Sequence, residues 1–177
     1  MFDRDRFVAE CRAALEGDRP SRDVNEIVSR AISDPSALIG ELGSPDSVGL
    51  KTIHRSAELT ILNAIWPVGQ IVMPHEHAVW AVVGIYAGRE DNILWRRILE
   101  DPDGRIEAAG AKSLGEREAA AFGPEIIHSV VNPLQRVTAA IHVYGGDFFA
   151  VRRSEWDPDS LHEKPYDMEK VLLMFAG

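Results

Sequence analysis

From about residue 45 onward the chain is a series of short apolar runs cut by Gly, Pro, Asn and Asp. That cadence restricts the fold more than any other feature. Runs at 59–66, 78–86, 93–99, 106–109, 119–122, 137–144 and 148–152 read as strands. Strands so short and so regularly spaced, with no helices between them, point to a β-sandwich or closed barrel rather than a parallel α/β sheet. The first 45 residues have a different period. Phe7, Cys11, Ala14 and Leu15 recur at helical spacing up to Gly17. Ser21 is placed to cap a second helix that buries Val24, Ile27, Val28, Ala31 and Ile32, and Asp34-Pro35 starts a third that ends at Gly43. The expected architecture is mainly β: one structural domain in which a helical segment, 1–45, packs on a barrel formed by 46–177 with its C-terminal tail.

A formal charge of −9 with scattered basic residues argues against nucleic acid as a partner. No run is long and apolar enough to span a membrane, and the N-terminal Met-Phe-Asp-Arg-Asp-Arg lacks the apolar core of a signal peptide. Cys11 is the sole cysteine, so no intrachain disulfide can form; this fits a reducing, cytoplasmic location. The expected oligomeric state is monomer or homodimer.

Three histidines carry the chemistry. His75 and His77 stand one residue apart in Met-Pro-His-Glu-His, and His128 follows in Ile-Ile-His-Ser-Val-Val-Asn. Residues i and i+2 of a strand share a face, so His75 and His77 can offer two imidazoles to one ion. His128, from a distant strand, would complete a facial set with open positions for substrate. His54 and His162 lack partner spacing and read as structural or solvated.

The strings Gly69-x5-His75-x-His77 and Gly123-x4-His128-x3-Asn132 resemble the two motifs of the cupin superfamily. The resemblance covers about residues 45–155 and implies a jelly roll, or double-stranded β-helix, whose two motifs bring the three histidines together. Such motifs ordinarily carry a Glu four or five residues after the second His, where this chain has Ala81 and Val82. Glu76 is expected on the opposite strand face and Glu90 beyond the strand's end. Three neutral imidazoles leave a divalent ion its full charge, which favours an anionic ligand such as a thiolate.

The run from Trp66 through Met-Pro-His-Glu-His to Gly84 looks like the first motif of the cysteine dioxygenase family, in its bacterial branch with the 3-mercaptopropionate dioxygenases. That family lacks the carboxylate ligand and holds Fe(II) by three His. Ala140-Ile-His142-Val-Tyr144 resembles its Ser-x-His-x-Tyr triad, with Ala140 in place of the Ser. The resemblance implies that His142 orients the Tyr144 hydroxyl toward oxygen or substrate at the metal. A small thiol acid also needs a cation for its carboxylate. Alignment on Trp66 with the mammalian-type enzymes implies Lys51 or a neighbour, with Arg55 nearby; the resemblance of Ala-Val-Arg-Arg to the bacterial branch implies Arg153, with Arg152 as its alternate. The implied activity is oxidation of a small thiol carboxylate, 3-mercaptopropionate or cysteine in type, by O2 to the sulfinate. The implied cofactor is Fe(II), with Zn or Ni as metals that purified protein can carry. The rival readings are a metal cupin acting on a non-thiol substrate, as a diketone dioxygenase or isomerase, and a non-catalytic small-molecule-binding cupin.

Overall fold

The computed structural model describes residues 1–175. Asp3 caps α1 (Arg4–Ala14) by accepting from the Arg6 amide, and Phe7 and Cys11 turn inward one helical turn apart. α2 (Pro20–Ile32) starts one residue before the expected cap. Pro20, its φ already helical, occupies the first position, so Ser21 falls inside the first turn and caps nothing. α3 (Pro35–Leu42) has the expected ends: the Asp34 carboxylate accepts from the Ala37 amide, and Gly43 terminates it at φ 94°.

The strands are β1 (Gly49–Arg55), β2 (Thr60–Trp66), β3 (Ile71–Glu76), β4 (Ala81–Ala87), β5 (Arg89–Arg97) and β6 (Ile106–Gly115). They continue with β7 (Ala119–Phe122), β8 (Ile127–Val131), β9 (Thr138–Tyr144), β10 (Ser154–Trp156) and β11 (Glu163–Pro165). All paired strands are antiparallel. They form a five-stranded sheet in the order β1-β2-β9-β4-β7 and a six-stranded sheet in the order β11-β10-β3-β8-β5-β6. The architecture is a mainly β, double-stranded β-helix barrel with a helical preface.

The run expected as a strand at 148–152 is a turn instead. The Ala150 and Val151 amides bond to the Asp147 carbonyl, and the Asp147 carboxylate takes the Phe149 amide. β4 starts later than its apolar run because Ala78 adopts φ 56° in the preceding loop. β6 runs on to Gly115 although its outer part is exposed, since β5 supplies a full ladder of partners.

β9 is buried along its whole length, which its near-continuous apolar sequence reflects. Ile141 and Val143 pack with the preface, in one cluster with Val24, Val28 and Ile32, while Ala140 and Tyr144 belong to the barrel interior. α2 lies closely against β4 because Gly84 has no side chain; a Cβ there would collide with Val28. After β11, α4 (Met168–Met174) turns back across the barrel, and Val171 and Phe175 join Ala64 in a small apolar cluster.

Candidate metal centre

β3 and β8 pair in a register that sets His75 directly opposite His128. Cross-strand neighbours have Cβ atoms only about 5 Å apart, so two imidazoles meet without any loop being asked to place them. His77 lies just past the end of β3, and its ring centroid stands 5.1 Å from that of His75 and 4.9 Å from that of His128. All three are buried, and one ring nitrogen from each falls within 4.8 Å of the others.

Hydrogen bonds decide which nitrogens face inward. The Met73 carbonyl lies 2.9 Å from His75 Nδ1 and the Asn92 side-chain oxygen 2.7 Å from His128 Nδ1. Both oxygens only accept, so each Nδ1 carries the hydrogen and each Nε2 keeps its lone pair. His77 Nε2 and His128 Nε2 stand 3.2 Å apart. Two nitrogens at about 2.1 Å from a common ion, at octahedral or tetrahedral angles, would be roughly 3.0–3.4 Å apart, so this donor set fits a metal ion. Burial pulls the His75 pKa down to about 4 and those of His77 and His128 well below the ordinary value; the neighbouring imidazoles push the same way. All three are therefore neutral at pH 7, the form that binds metal.

The cavity beside the three imidazoles is small, about 40 Å³. His142 and Tyr144 both line it, with His142 Nδ1 3.1 Å from the Tyr144 hydroxyl. Burial raises the Tyr144 pKa above its usual value and keeps the phenol protonated. Most of the cavity's remaining walls are apolar side chains from both sheets, and Tyr166, Val171 and Phe175 of the C-terminal tail also line it.

Glu90 corrects the sequence expectation. It lies inside β5, where burial alternates and brings Glu90 and Asn92 inward. Its carboxylate lines the cavity, with one oxygen 3.6 Å from His142 Nε2. Glu76 does lie on the other side, where it meets Arg97 and the Ser154 amide.

The carboxylate-anchor candidates separate by strand geometry. Lys51 is exposed on β1, and it is its neighbour Leu50 that lines the cavity, so Lys51 is not brought to the site. Arg55 is tied to Asp147 by a two-pronged ion pair. Arg152 is exposed on an open groove that Arg153 also borders. Arg153 is only 8% exposed, and its guanidinium is stacked against Tyr166 and Phe148, with its carbon 3.9 and 4.4 Å from the ring centroids. Nη1 donates to the Phe148 carbonyl, whereas Nε and Nη2 are buried without a partner among the described residues. Both stacking rings border the cavity, and the Arg153 charge also disfavours protonation of His75 and His77. Alternation in β5 was the available signal for Glu90 and Asn92; nothing in the sequence marked the Met73 carbonyl or Tyr166.

No protein-family model matches the chain. Among solved structures it is similar to an RmlC-like cupin family protein with a double-stranded β-helix fold from Methanocaldococcus jannaschii, at 11% identity over 60% of this chain and 86% of that one, with a TM-score of 0.47. It is similar to a Bacillus halodurans protein, BH2720, at 11% identity over 72% and 84%, with a TM-score of 0.49. A Bacillus subtilis oxalate decarboxylase variant gives 20% identity and a TM-score of 0.41; that match covers 54% of this chain but only 23% of the decarboxylase. Among the described residues no helix is long and apolar enough to cross a membrane. By its own topology and side chains, the protein is a two-sheet antiparallel barrel with a three-imidazole group that could hold a metal ion.

Proposed function

We propose that this protein is a thiol dioxygenase that oxidises a small thiol carboxylate to its sulfinate, with iron(II) held by His75, His77 and His128. What supports this reading most is the pairing of an all-imidazole centre with Arg153, a buried guanidinium that stacks on two rings lining the cavity and whose Nε and Nη2 have no partner among the described residues. Iron(II) bound there supplies coordination sites for thiolate and dioxygen. The overall reaction is balanced as RS⁻ + O2 → RSO2⁻, so no external reductant is needed.

The protein's own groups have distinct tasks. With three neutral imidazoles and no carboxylate ligand, the site attracts an anionic thiolate. Arg153 takes the substrate carboxylate through the N–H groups the protein leaves unpaired. Tyr144 remains a neutral phenol held by His142 and borders the space where the substrate would sit. The apolar walls and the tail keep water away, which strengthens each polar contact. Cys11 is buried in the preface, away from Tyr144, so no thioether crosslink to that phenol can form. Between the two substrate types, 3-mercaptopropionate is favoured, because no cysteine stands beside Tyr144 to form the crosslink of the mammalian-type enzymes.

The test is oxygen uptake by iron-loaded protein across a panel of small thiols, with products identified by mass spectrometry. Uptake matched by sulfinate is expected with 3-mercaptopropionate. No uptake with any thiol would overturn the proposal, and turnover of a diketone or sugar instead would assign a different metal-dependent reaction.

A further inference from the structure

Two buried polar side chains face each other across the barrel with no other partner for the atoms concerned. Glu90, on β5 of the six-stranded sheet, is 2% exposed, and His142, on β9 of the five-stranded sheet, is 7% exposed. Glu90 Oε1 and His142 Nε2 each lack a hydrogen-bond partner among the described residues, and they stand 3.6 Å apart. A buried carboxylate oxygen left unpaired is costly, and so is a buried ring nitrogen. Each is the group at hand to satisfy the other. Ala140, two residues before His142 on the same strand face, carries no side-chain group that could do so.

We infer that Glu90 is a positioning residue: it holds His142 as the Nε2–H tautomer and thereby fixes the direction of the Tyr144 hydroxyl. The argument follows from donor and acceptor roles. A carboxylate oxygen only accepts, so the contact with Glu90 requires a hydrogen on Nε2. In the neutral ring Nδ1 is then an acceptor, and the Tyr144 hydroxyl 3.1 Å away donates to it. The phenol's proton is committed to His142, and its lone pairs are left for the cavity. Tyr144 therefore meets a ligand as a hydrogen-bond acceptor. Asn92, two residues along β5, fixes the His128 tautomer in the same manner, so one strand sets the ring state of a candidate ligand and of the imidazole behind the phenol.

The catalytic consequence rests on the dioxygenase reading; the tautomer does not. The test is ¹⁵N NMR of the full chain loaded with zinc, which is diamagnetic, comparing wild type, Glu90→Gln and Glu90→Ala. Wild type should show a single His142 tautomer with hydrogen on Nε2. Glu90→Ala should show a mixture with Nδ1–H, and Glu90→Gln should recover Nε2–H, since its amide oxygen still accepts. Zinc affinity should be the same in all three. In iron-loaded protein Glu90→Ala should change kcat for thiol oxidation several-fold while leaving KM largely unchanged, because it frees the Tyr144 proton from His142. Wild-type His142 protonated on Nδ1, or a tautomer unaltered in Glu90→Ala, would overturn the inference. Because the wild-type spectrum alone can do so, a variant that fails to fold does not shield it. Loss of the tautomer without any thiol turnover, even in wild type, would sink the dioxygenase reading and leave the positioning role standing.

Discussion

Asn92 accepts a hydrogen bond from His128 Nδ1 at 2.7 Å, and that contact turns the opposite nitrogen of the ring toward the other two histidines. Without it, His128 would be free to take the wrong tautomer or rotate. Asn92→Ala is expected to weaken zinc or iron binding by roughly 10- to 100-fold while the chain stays folded. Competition titration with a chromophoric chelator measures this directly. Unchanged affinity would mean that the metal does not use His128 Nε2.

Metal-free protein should lose stability on mild acidification. His75, His77 and His128 are held neutral by burial, His75 with a pKa of about 4, whereas in the unfolded chain they titrate near 6.5. Folded values below unfolded values mean that the unfolded state binds more protons in this window. Stability is thus fully present above about pH 6.5 and is lost as pH falls toward 4. At about 1.4 kcal/mol per pH unit, His75 alone accounts for about 3 kcal/mol. Urea midpoints at pH 7 and pH 4.5 should show the loss, and His75→Gln should show a smaller one. A midpoint independent of pH would contradict the burial of neutral imidazoles.

Arg153 and Arg152 are adjacent in sequence but should behave oppositely. Arg153→Lys keeps the charge but loses the planar fork and the stacking between Tyr166 and Phe148. KM for a thiol carboxylate should rise at least about tenfold, the loss of one charge-assisted hydrogen bond, with little effect on an uncharged thiol. Arg152→Ala should leave both values near wild type, since Arg152 is exposed on the open groove. Equal effects on charged and uncharged thiols would remove Arg153 from carboxylate recognition.

Gly84→Ala tests the seam between preface and barrel. The added methyl group meets Val28 and crowds Ile32, both fully buried, so α2 must shift away from β4. A loss of about 1–3 kcal/mol is expected from such overpacking, read by denaturant unfolding. Gly84→Ala combined with Val28→Ala should recover part of it, and a neutral effect would mean that α2 is loosely docked.

Much of this molecule is legible in its sequence. Helical spacing marks the preface and continuous apolar runs mark β2, β4, β5, β6, β7 and β9, whereas β1, β3, β8, β10 and β11 lie outside those runs. The three histidines are legible because their spacing follows strand geometry. What escaped depended on contacts between distant elements. Glu90 was assigned to a position past a strand's end, since the Gly88 bend and the start of β5 could not be told from a loop. Lys51 and Arg153 are both candidates in the sequence, and the strand face of one and the aromatic stacking of the other separate them. The turn after Asp147 passed for a strand because Phe148 and Phe149 favour strands locally; the Asp147 bonds overrode that preference.

β9 carries two programmes on alternate residues. Ile141 and Val143 answer to the helical preface, while His142 and Tyr144 answer to the cavity. One residue inserted in the connection before it, if absorbed by a shift in register, would exchange the two sets and put an imidazole and a phenol among aliphatic helix residues. The preface and the chemistry therefore cannot drift apart independently. Any change that loosens the helices is a threat to the alignment of the site on the far side of the same strand, and a scan of the preface for lost metal binding would trace how far that dependence reaches.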